Sequence, residues 1–495
     1  MTEQSEEDLR SAIPQESVEP VNAAEHRPLY RKRERIYPKI PRGRYRSIKW
    51  AAMAVLLAVY YLLPWVRWGR GLNAPEQAVL VDIPQRKFYF FFIEIWPQEI
   101  YYWTGLLIVA ALGLFFISSL FGRVWCGYAC PQTVWTDLFL HIERLVEGDR
   151  NSRIRLDKAR WGVAKIVRKT IKHVIWVLIG IVTGGAWIFY FADAPTLFGQ
   201  LIRFEAPASA YITMAFLTGT TYLFAGLARE QICTYVCPYA RFQSAMFDED
   251  TMLVSYQPQR GEPRGKHKAG ASWETQGDCV DCKLCVAVCP QGIDIRDGQQ
   301  MECITCALCI DACNGVMRKV GRPSGLIRYD TGRKLGARET GEKPVVRLFR
   351  PRTLVYSTLL IGLTVVILGS LFTRSDLDIT VQRDRNPLFV QLSDGSIRNG
   401  YTVKIINKAH EVRDFTLTLD GLVGAEMVLV GDSAIDSTST VLTVGPDALA
   451  SFRIFVTAPL ASLQSASSDL QMLIVNATGE AHDTYDTVFR GPDAG

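Results

Sequence analysis

The stretch that organises this 495-residue chain is C-V-D-C-K-L-C-V-A-V-C-P, at Cys279–Pro290. A second stretch, C-I-T-C-A-L-C-I-D-A-C-N, repeats the cysteine spacing at Cys303–Asn314, with asparagine in place of the proline. C-x2-C-x2-C-x3-C-P is the pattern of bacterial two-cluster ferredoxins, in which the fourth cysteine of each run ligates the other cluster. The spacing therefore predicts a bacterial-type 2[4Fe-4S] ferredoxin domain at about residues 270–320.

The crossed arrangement assigns the cluster ligands one by one. The first cluster is predicted to bind Cys279, Cys282, Cys285 and Cys313, and the second Cys303, Cys306, Cys309 and Cys289. A four-thiolate zinc site is one alternative, but zinc motifs usually use two pairs of cysteines rather than three at two-residue steps. Disulfides are the other alternative, which a reducing cytoplasm disfavours.

The remaining four cysteines form two C-x3-C-P pairs. Cys126 and Cys130 lie in W-C-G-Y-A-C-P, and Cys233 and Cys237 lie in C-T-Y-V-C-P. Cysteines four residues apart on a continuing helix share one face, and the proline behind each pair is expected to end that helix. Each pair follows an apolar run, so the two pairs can converge. The residues leave open a soft-metal thiolate site, a redox-active dithiol, a further metal cluster, or buried structural cysteines.

Five long runs without acidic or basic residues predict transmembrane helices, since a spanning helix needs about 20 apolar residues. The runs are Trp50–Val66, Ile100–Gly122, His173–Ala192, Ala206–Ala228 and Thr353–Phe372. Three basic stretches fall on one side of five spans: Arg27–Lys49, Arg123–Lys172 and Arg229–Arg352. The positive-inside rule places that side, with the N-terminus and the ferredoxin domain, in the cytoplasm. Membrane adjacency explains the basic stretches better than nucleic-acid binding, and the alternation in Arg153–Lys172 predicts an amphipathic helix on the inner leaflet.

These features divide the chain into five parts, and together they predict a multi-domain membrane protein. A basic N-terminal segment at 1–49 precedes a membrane region with four transmembrane helices at 50–228, a cytoplasmic region at 229–352, a fifth transmembrane helix at 353–372 and a periplasmic tail at 373–495. The polar start Met1–Asp8 does not resemble a cleaved signal peptide.

The tail consists of short β-type runs and carries no cysteine. The runs are Tyr401–Asn407, Asp414–Asp420, Ser437–Val444, Ser451–Val456 and Leu470–Val475, with a turn at Ser393–Gly395. About 110 residues with this spacing predict an immunoglobulin-like β-sandwich. Such a module is expected to serve interaction or homodimerisation, because nothing in it resembles a catalytic cluster.

The order of these motifs resembles one known family. W-C-G-Y-A-C-P after one span, C-T-Y-V-C-P after another, the double ferredoxin run and the β tail also occur in the cbb3-type cytochrome c oxidase accessory proteins called CcoG, FixG or RdxA. The segments Arg86–Phe91 and Trp96–Glu99 add to the resemblance, which extends from about Arg27 to the tail.

The resemblance implies a bacterial inner-membrane protein that reduces Cu(II) to Cu(I) for oxidase assembly. Copper is then substrate or bound ion, and Cys126, Cys130, Cys233 and Cys237 take part in its reduction. Oxidase assembly factors or copper chaperones are the implied partners, together with an unidentified cytoplasmic electron donor. The alternatives are a quinol dehydrogenase or electron relay of the membrane polyferredoxin type, and a non-enzymatic assembly scaffold.

Overall fold

A computed structural model gives the fold of the chain. It describes residues 15–21, 34–71, 74–267, 273–343, 347, 349–375, 377–431, 438–463, 465–476 and 482–492. The acidic start Met1–Asp8 and residues 27–33 of the basic segment lie outside the described residues. The chain divides into two compact units, one formed by 1–66 and 77–367 and the other by 67–76 and 368–495.

Helices dominate the first unit. They are α1 Arg44–Leu62, α2 Tyr101–Phe121, α3 Val124–Tyr128, α4 Pro131–Glu147, α5 Arg150–Lys158, α6 Val163–Ile188, α7 Ala194–Arg203, α8 Ala208–Thr221, α9 Pro238–Ala245, α10 Pro258–Gly261, α11 Leu284–Ala287, α12 Leu308–Lys319, α13 Gly332–Glu339 and α14 Pro351–Phe372. Two π-helical segments, Tyr222–Ala228 and Ile232–Val236, follow α8.

Within the described part of the chain, five helices are long and apolar enough to cross a membrane, as predicted. They are Arg44–Trp65, Pro97–Phe121, Val163–Ile188, Ala208–Ala228 and Pro351–Phe372. The first begins six residues before the predicted Trp50, because Arg46 pairs with Asp137 (2.8 Å from Nη1 to Oδ1) and so enters the helix neutralised.

The predicted amphipathic helix over Arg153–Lys172 is wrong. The helix α5 ends at Lys158, and α6 begins at Val163 and continues into the third span. Basic side chains in the first turns of α6 have partners that replace water. The Nζ of Lys165 donates to the carbonyl oxygens of Asp157 and Ala159, and Lys172 pairs with Glu147 at 2.8 Å. Paired cations can therefore occupy the end of a long membrane helix.

Two of the segments between the apolar runs contain regular structure. Residues 67–99 include an antiparallel sheet of β1 Val79–Asp82, β2 Lys87–Phe90 and β3 Ile93–Ile95. The 193–205 connection contains α7, which starts with a side-chain cap, since the Asp193 carboxylate accepts from the Thr196 N–H at 3.2 Å.

The ferredoxin segment is framed by a two-stranded sheet, β4 Leu253–Tyr256 paired with β5 Ile327–Asp330. Between these strands lie the four-residue helix α11 and the longer α12, which together support the cysteine runs. The helices also explain the departure at Asn314. The first run ends outside α11, where Pro290 is tolerated, but Asn314 lies inside α12, where proline would break the helix.

The second unit is a β-sandwich, as predicted. One sheet has the order β10-β12-β8-β6 with β7 paired to β8, and the other has the order β11-β9-β13-β14. Residues from both sheets fill the core, for example Tyr401, Val403, Phe415 and Met472. The strands are β6 Leu377–Arg383, β7 Val390–Gln391, β8 Ile397–Asn407, β9 Arg413–Asp420, β10 Glu426–Leu429, β11 Ser439–Val444, β12 Ala448–Ala458, β13 Ser467–Asn476 and β14 His482–Arg490.

Candidate iron–sulfur and thiol site

The two ferredoxin runs have the same backbone conformation. Asp281 and Lys283 flank the second cysteine of the first run with φ of 47° and 55°. Thr305 and Ala307 occupy the same places in the second run, with φ of 55° and 60°. Left-handed residues on both sides of a cysteine curl the loop tightly. The curl explains how three cysteines at two-residue steps can line one cavity.

Each predicted ligand set surrounds a small apolar cavity. The first cavity is lined by Cys279, Cys282, Cys285 and Cys313, with apolar neighbours such as Leu326 and Met317. The second cavity is lined by Cys289, Cys303, Cys306 and Cys309. The structure thus brings together the members of each crossed set, including the fourth cysteine from the other run. Cys285 lines the second cavity as well, so the two cavities are neighbours.

The chemistry of the eight thiols fits a metal centre. Burial raises the pKa of Cys303 to about 11, and that of Cys289 and Cys313 to about 12. Neighbouring thiolates raise these pKa values further, since charge on Cys306 and Cys303 acts on Cys289, and charge on Cys282 and Cys279 acts on Cys313. Clustered thiols in an apolar cavity become stable thiolates when iron supplies the compensating charge.

The two C-x3-C-P pairs do not lie on continuing helices, contrary to prediction, although a helical segment does end just before each proline, as predicted. Cys126 is in the short α3, whereas Cys130 caps the N-terminus of α4 and Pro131 is the first residue of α4. Likewise, Cys237 follows the π-helical segment Ile232–Val236, and Pro238 starts α9. Proline is favoured at the first helical position because its missing N–H would have no partner there. Each pair therefore straddles a break between two helices.

The breaks still bring all four cysteines to one place, which is called here the four-thiol set: Cys126, Cys130, Cys233 and Cys237. Burial raises the pKa of Cys126 to about 11, and charge on Cys130 and Cys237 raises it further. Burial also raises the pKa of Cys233 to about 12, with added contributions from charge on Cys130 and Cys126. Charge on each of the other three cysteines acts on Cys233, so the four side chains lie near one another, as the predicted convergence of the two pairs requires.

The four-thiol set packs directly on the second cysteine cavity. Gly127 lies against the second ferredoxin run, where a β-carbon on it would sit 2.7 Å from the Ile304 carbonyl oxygen and 3.0 Å from Cys306 Cα. The Tyr128 hydroxyl donates to the Cys306 carbonyl oxygen at 3.1 Å. Cys126 shares one apolar cluster with Ile304 and Cys306. The three cysteine sets therefore form a contiguous row, with the second ferredoxin set in the middle.

A buried arginine joins two of these sets. Arg123 is 2% exposed, and its guanidinium donates to the carbonyl oxygen of Met301, two residues before Cys303. Its positive charge lowers the pKa of Cys126 against the larger effect of burial, and it acts in the same direction on Cys130 and Cys303. Arg123 is therefore placed to favour thiolates on both sides of the contact.

Gln243 completes the surroundings of Cys126. Its Oε1 accepts from Arg123 Nε at 3.1 Å and from Cys126 Sγ at 3.3 Å, and its Nε2 donates to Ser118 Oγ at 3.1 Å. Sequence reasoning missed Arg123, Gln243 and Gly127. The sequence shows only that an arginine and a glycine lie next to the first cysteine pair, and this does not indicate what those residues contact.

The second pair is anchored through Arg229, which ends the fourth span. Its Nη1 lies 3.0 Å from Glu143 Oε2, and Glu143 is 1% exposed. Arg153 and Arg35 also pair with this carboxylate, at 3.0 and 2.6 Å. Burial alone would raise the pKa of Glu143, but Arg229, Arg153 and Arg35 hold it well below its usual range. Glu143 is therefore ionised and ties α4 and the basic segment to the chain just before Cys233.

Family comparisons agree with this division of the chain. Residues 228–332 match the 4Fe-4S dicluster domain, and residues 103–147 match a 4Fe-4S binding domain. Residues 367–492 match the IG-like fold at the C-terminus of FixG. Both 4Fe-4S matches extend over a C-x3-C-P pair, the first over Cys233 and Cys237 and the second over Cys126 and Cys130.

The spans, the cysteine cavities and these matches define a membrane-bound iron–sulfur protein with a role in electron transfer. Nitrogen fixation protein FixG of Rhizobium meliloti is 49% identical over 96% of this chain and 97% of its own length. The proteins RdxB and RdxA of Cereibacter sphaeroides are 50% and 49% identical over 94% and 91% of this chain, and over 97% and 96% of their own lengths. The chain belongs to the FixG/RdxA family.

Proposed function

We propose that this protein reduces Cu(II) to Cu(I) at the four-thiol set and supplies Cu(I) for assembly of cbb3-type cytochrome c oxidase in the bacterial inner membrane. The observation that carries the proposal is the contiguous row of three cysteine sets, in which Gly127 rests on the backbone of Ile304 and Cys306. An electron accepted near the first ferredoxin set has a short route to a metal ion at the four-thiol set. Each Cu(II) takes one electron.

The chain's own residues prepare this chemistry. Two [4Fe-4S] clusters, held by Cys279, Cys282, Cys285 and Cys313 and by Cys289, Cys303, Cys306 and Cys309, supply one-electron transfer when bound. Copper needs thiolates, and the Arg123 guanidinium favours them at Cys126 and Cys130. Thiolates prefer Cu(I), so binding at four cysteines favours the reduced product.

The topology of the chain bears on which side of the membrane receives the Cu(I). We place the N-terminus and the ferredoxin domain in the cytoplasm and the β-sandwich in the periplasm, because basic residues accumulate in the segments before, between and after the paired spans. After residue 372 the chain carries nine basic and sixteen acidic residues. The sandwich is then the surface for oxidase assembly factors, copper chaperones or a second copy of the chain. Alkaline phosphatase fused after residue 492 should be active, and fused after residue 330 inactive; the opposite pattern would reverse the topology.

A second use of the four-thiol set is a third [4Fe-4S] cluster, which the 4Fe-4S match over residues 103–147 favours. The two uses differ in metal content. If the four-thiol set binds copper, a purified chain should contain about eight iron atoms, whereas a third cluster at that set would raise the number to about twelve. Anaerobic metal analysis combined with EPR separates them.

The decisive experiment replaces both Cys130 and Cys237 with serine. Reduced protein, freed of reductant, is mixed with Cu(II), and Cu(I) is counted with a chromogenic chelator. The double variant should keep its iron and its cluster EPR signal and lose Cu(I) formation. Tyr235→Phe is the matched control, because Tyr235 lies between the second pair yet is 69% exposed. Full Cu(I) formation by the double variant, with iron intact, would remove the four-thiol set from the reaction.

A further inference from the structure

A cavity lies where the first membrane helix begins, and neither the clusters nor copper accounts for it. It is bounded by the first turns of α1 and α4, by the chain around Arg229 and Cys233, and by the second ferredoxin run at Ile304 and Leu308.

The cavity carries buried polar atoms that need partners. Arg46 and Asp137 pair through Nη1 and Oδ1 at 2.8 Å, and their side chains are 5% and 8% exposed. The remaining polar atoms of this pair, Nε and Nη2 of Arg46 and Oδ2 of Asp137, have no hydrogen-bond partner among the described residues. The same holds for Nη2 of Arg229, a side chain that is 7% exposed. A ligand that fits must therefore offer both a donor and an acceptor.

The unpartnered carboxylate oxygen of Asp137 needs a hydrogen-bond donor. A fully ionised phosphate or lipid headgroup would satisfy the guanidinium groups and Lys49, which also lines the cavity, but it has no hydrogen to donate to Asp137 Oδ2. A hydroxyl group, in contrast, donates to Asp137 Oδ2 and accepts from Arg46 or Arg229. The rest of the wall includes Leu140, Ile304 and Leu308, which suit an apolar ring.

The position of the cavity indicates what such a ligand does. Cys233 of the four-thiol set is part of the wall. Ile304 and Leu308, on the facing side, belong to the apolar cluster that contains Cys126 and Cys306. Arg46 and Lys49, at the start of the first span, place the site at the level where a lipid-soluble molecule can enter. A hydroxylated aromatic ring next to two redox-active cysteine sets is suited to donate electrons.

We propose that this cavity binds a lipid-soluble quinol, which is the electron donor of the protein. The inference rests on the proposed electron-transfer function and names its donor. Oxidation of one quinol to quinone releases two electrons and two protons. The clusters that the ferredoxin cysteines would hold, or two Cu(II) ions in sequence, would accept one electron each, and both protons would pass to water. Asp137 is a binding residue in this scheme, since its carboxylate orients the quinol hydroxyl.

Binding is tested on the purified holoprotein with decylubiquinone as the probe. Saturable quenching of tryptophan fluorescence measures affinity, and a photoreactive quinone followed by peptide mapping locates the site. Thr136 lines the cavity, so Thr136→Phe fills it without removing a charge. Val163→Phe adds the same ring at a residue that is 79% exposed and outside the cavity.

The expected result is at least a tenfold loss of affinity in Thr136→Phe and in Asp137→Asn, with wild-type affinity in Val163→Phe and unchanged iron content in all three. Cross-links should fall in α4 or near Ile304. The proposal would be overturned by unchanged affinity for decylubiquinone in Thr136→Phe or by cross-links elsewhere in the chain. It would also be overturned if anionic phospholipid vesicles, but not decylubiquinone, prevented cross-linking by the photoreactive quinone. The Cys130→Ser, Cys237→Ser double variant should still bind decylubiquinone, so failure of the copper step and failure of the quinol site remain distinguishable.

Discussion

Gly127→Ala should push the first C-x3-C-P pair away from the second ferredoxin run. A β-carbon at this position would lie 2.7 Å from the Ile304 carbonyl oxygen, about 0.7 Å short of the 3.4 Å at which ordinary contact begins, and 3.0 Å from Cys306 Cα. Both obstacles are backbone atoms, so a rotamer change cannot relieve the clash. Overpacking of this kind costs about 1–3 kcal/mol, and the better helix propensity of alanine returns about 1 kcal/mol.

The net expectation is a loss of about 0–2 kcal/mol, seen as a melting temperature up to a few degrees lower in detergent. Gly336→Ala is the control, because Gly336 is also helical and a β-carbon there meets nothing within 4 Å. Hydrogen exchange should increase in the peptide over residues 301–309 in Gly127→Ala only, and Cu(I) formation should slow. If both variants melt alike and residues 301–309 exchange as in wild type, the four-thiol set does not rest on the second ferredoxin run.

Three other changes test the surroundings of this contact. Arg123→Gln removes the cation that lowers the pKa of Cys126 against the larger effect of burial. The affinity for Cu(I) near neutral pH should therefore fall by about tenfold and recover as pH rises. Arg123→Lys should lose less Cu(I) affinity, and chelator competition measures both variants. Glu143→Gln should cost about 3–5 kcal/mol near neutral pH, because its cations lose their partner. The folded-state pKa of Glu143 is depressed, so the difference in unfolding free energy between wild type and Glu143→Gln is largest above about pH 4.5 and decreases as pH falls further. Melting curves recorded at several pH values measure this difference. Asn314→Ala should cost about 1 kcal/mol in thermal melting, because the Gly325 N–H loses its 2.8 Å acceptor.

The sequence was sufficient wherever local spacing decides the outcome. Cysteines at two-residue steps can line one cavity only if the loop curls, and the fourth cysteine must then reach the neighbouring cavity, so both ligand sets were readable from spacing. Alternation in Asp414–Asp420 predicted β9 in the same way. The five spans followed from the length of their uncharged runs.

Sequence reasoning failed where a distant partner decides the local structure. Proline after Cys130 correctly marked the end of a helix, since α3 ends at Tyr128, but the sequence reasoning missed that Pro131 also starts α4, where proline is favoured at the first helical position. The third span was predicted to begin at His173, but its helix already contains Lys172, which Glu143 and Glu147 neutralise at 3.5 and 2.8 Å. The ion pairs of Lys172 with Glu143 and Glu147 cannot be predicted from the spacing of residues along the chain.

The two halves of the four-thiol set are held by different means, and this affects how metal loading must proceed. Cys126 is held by the ferredoxin domain itself, since Gly127 lies against the backbone of the second run and Arg123 reaches Met301. Cys233 is held from the membrane side, by the ion pair of Arg229 with Glu143. A ferredoxin domain that has not closed around its own thiols cannot support Cys126, whereas Cys233 keeps its anchor. The proposed metal site is therefore completed, on the Cys126 side, by the folded ferredoxin domain that would supply its electrons.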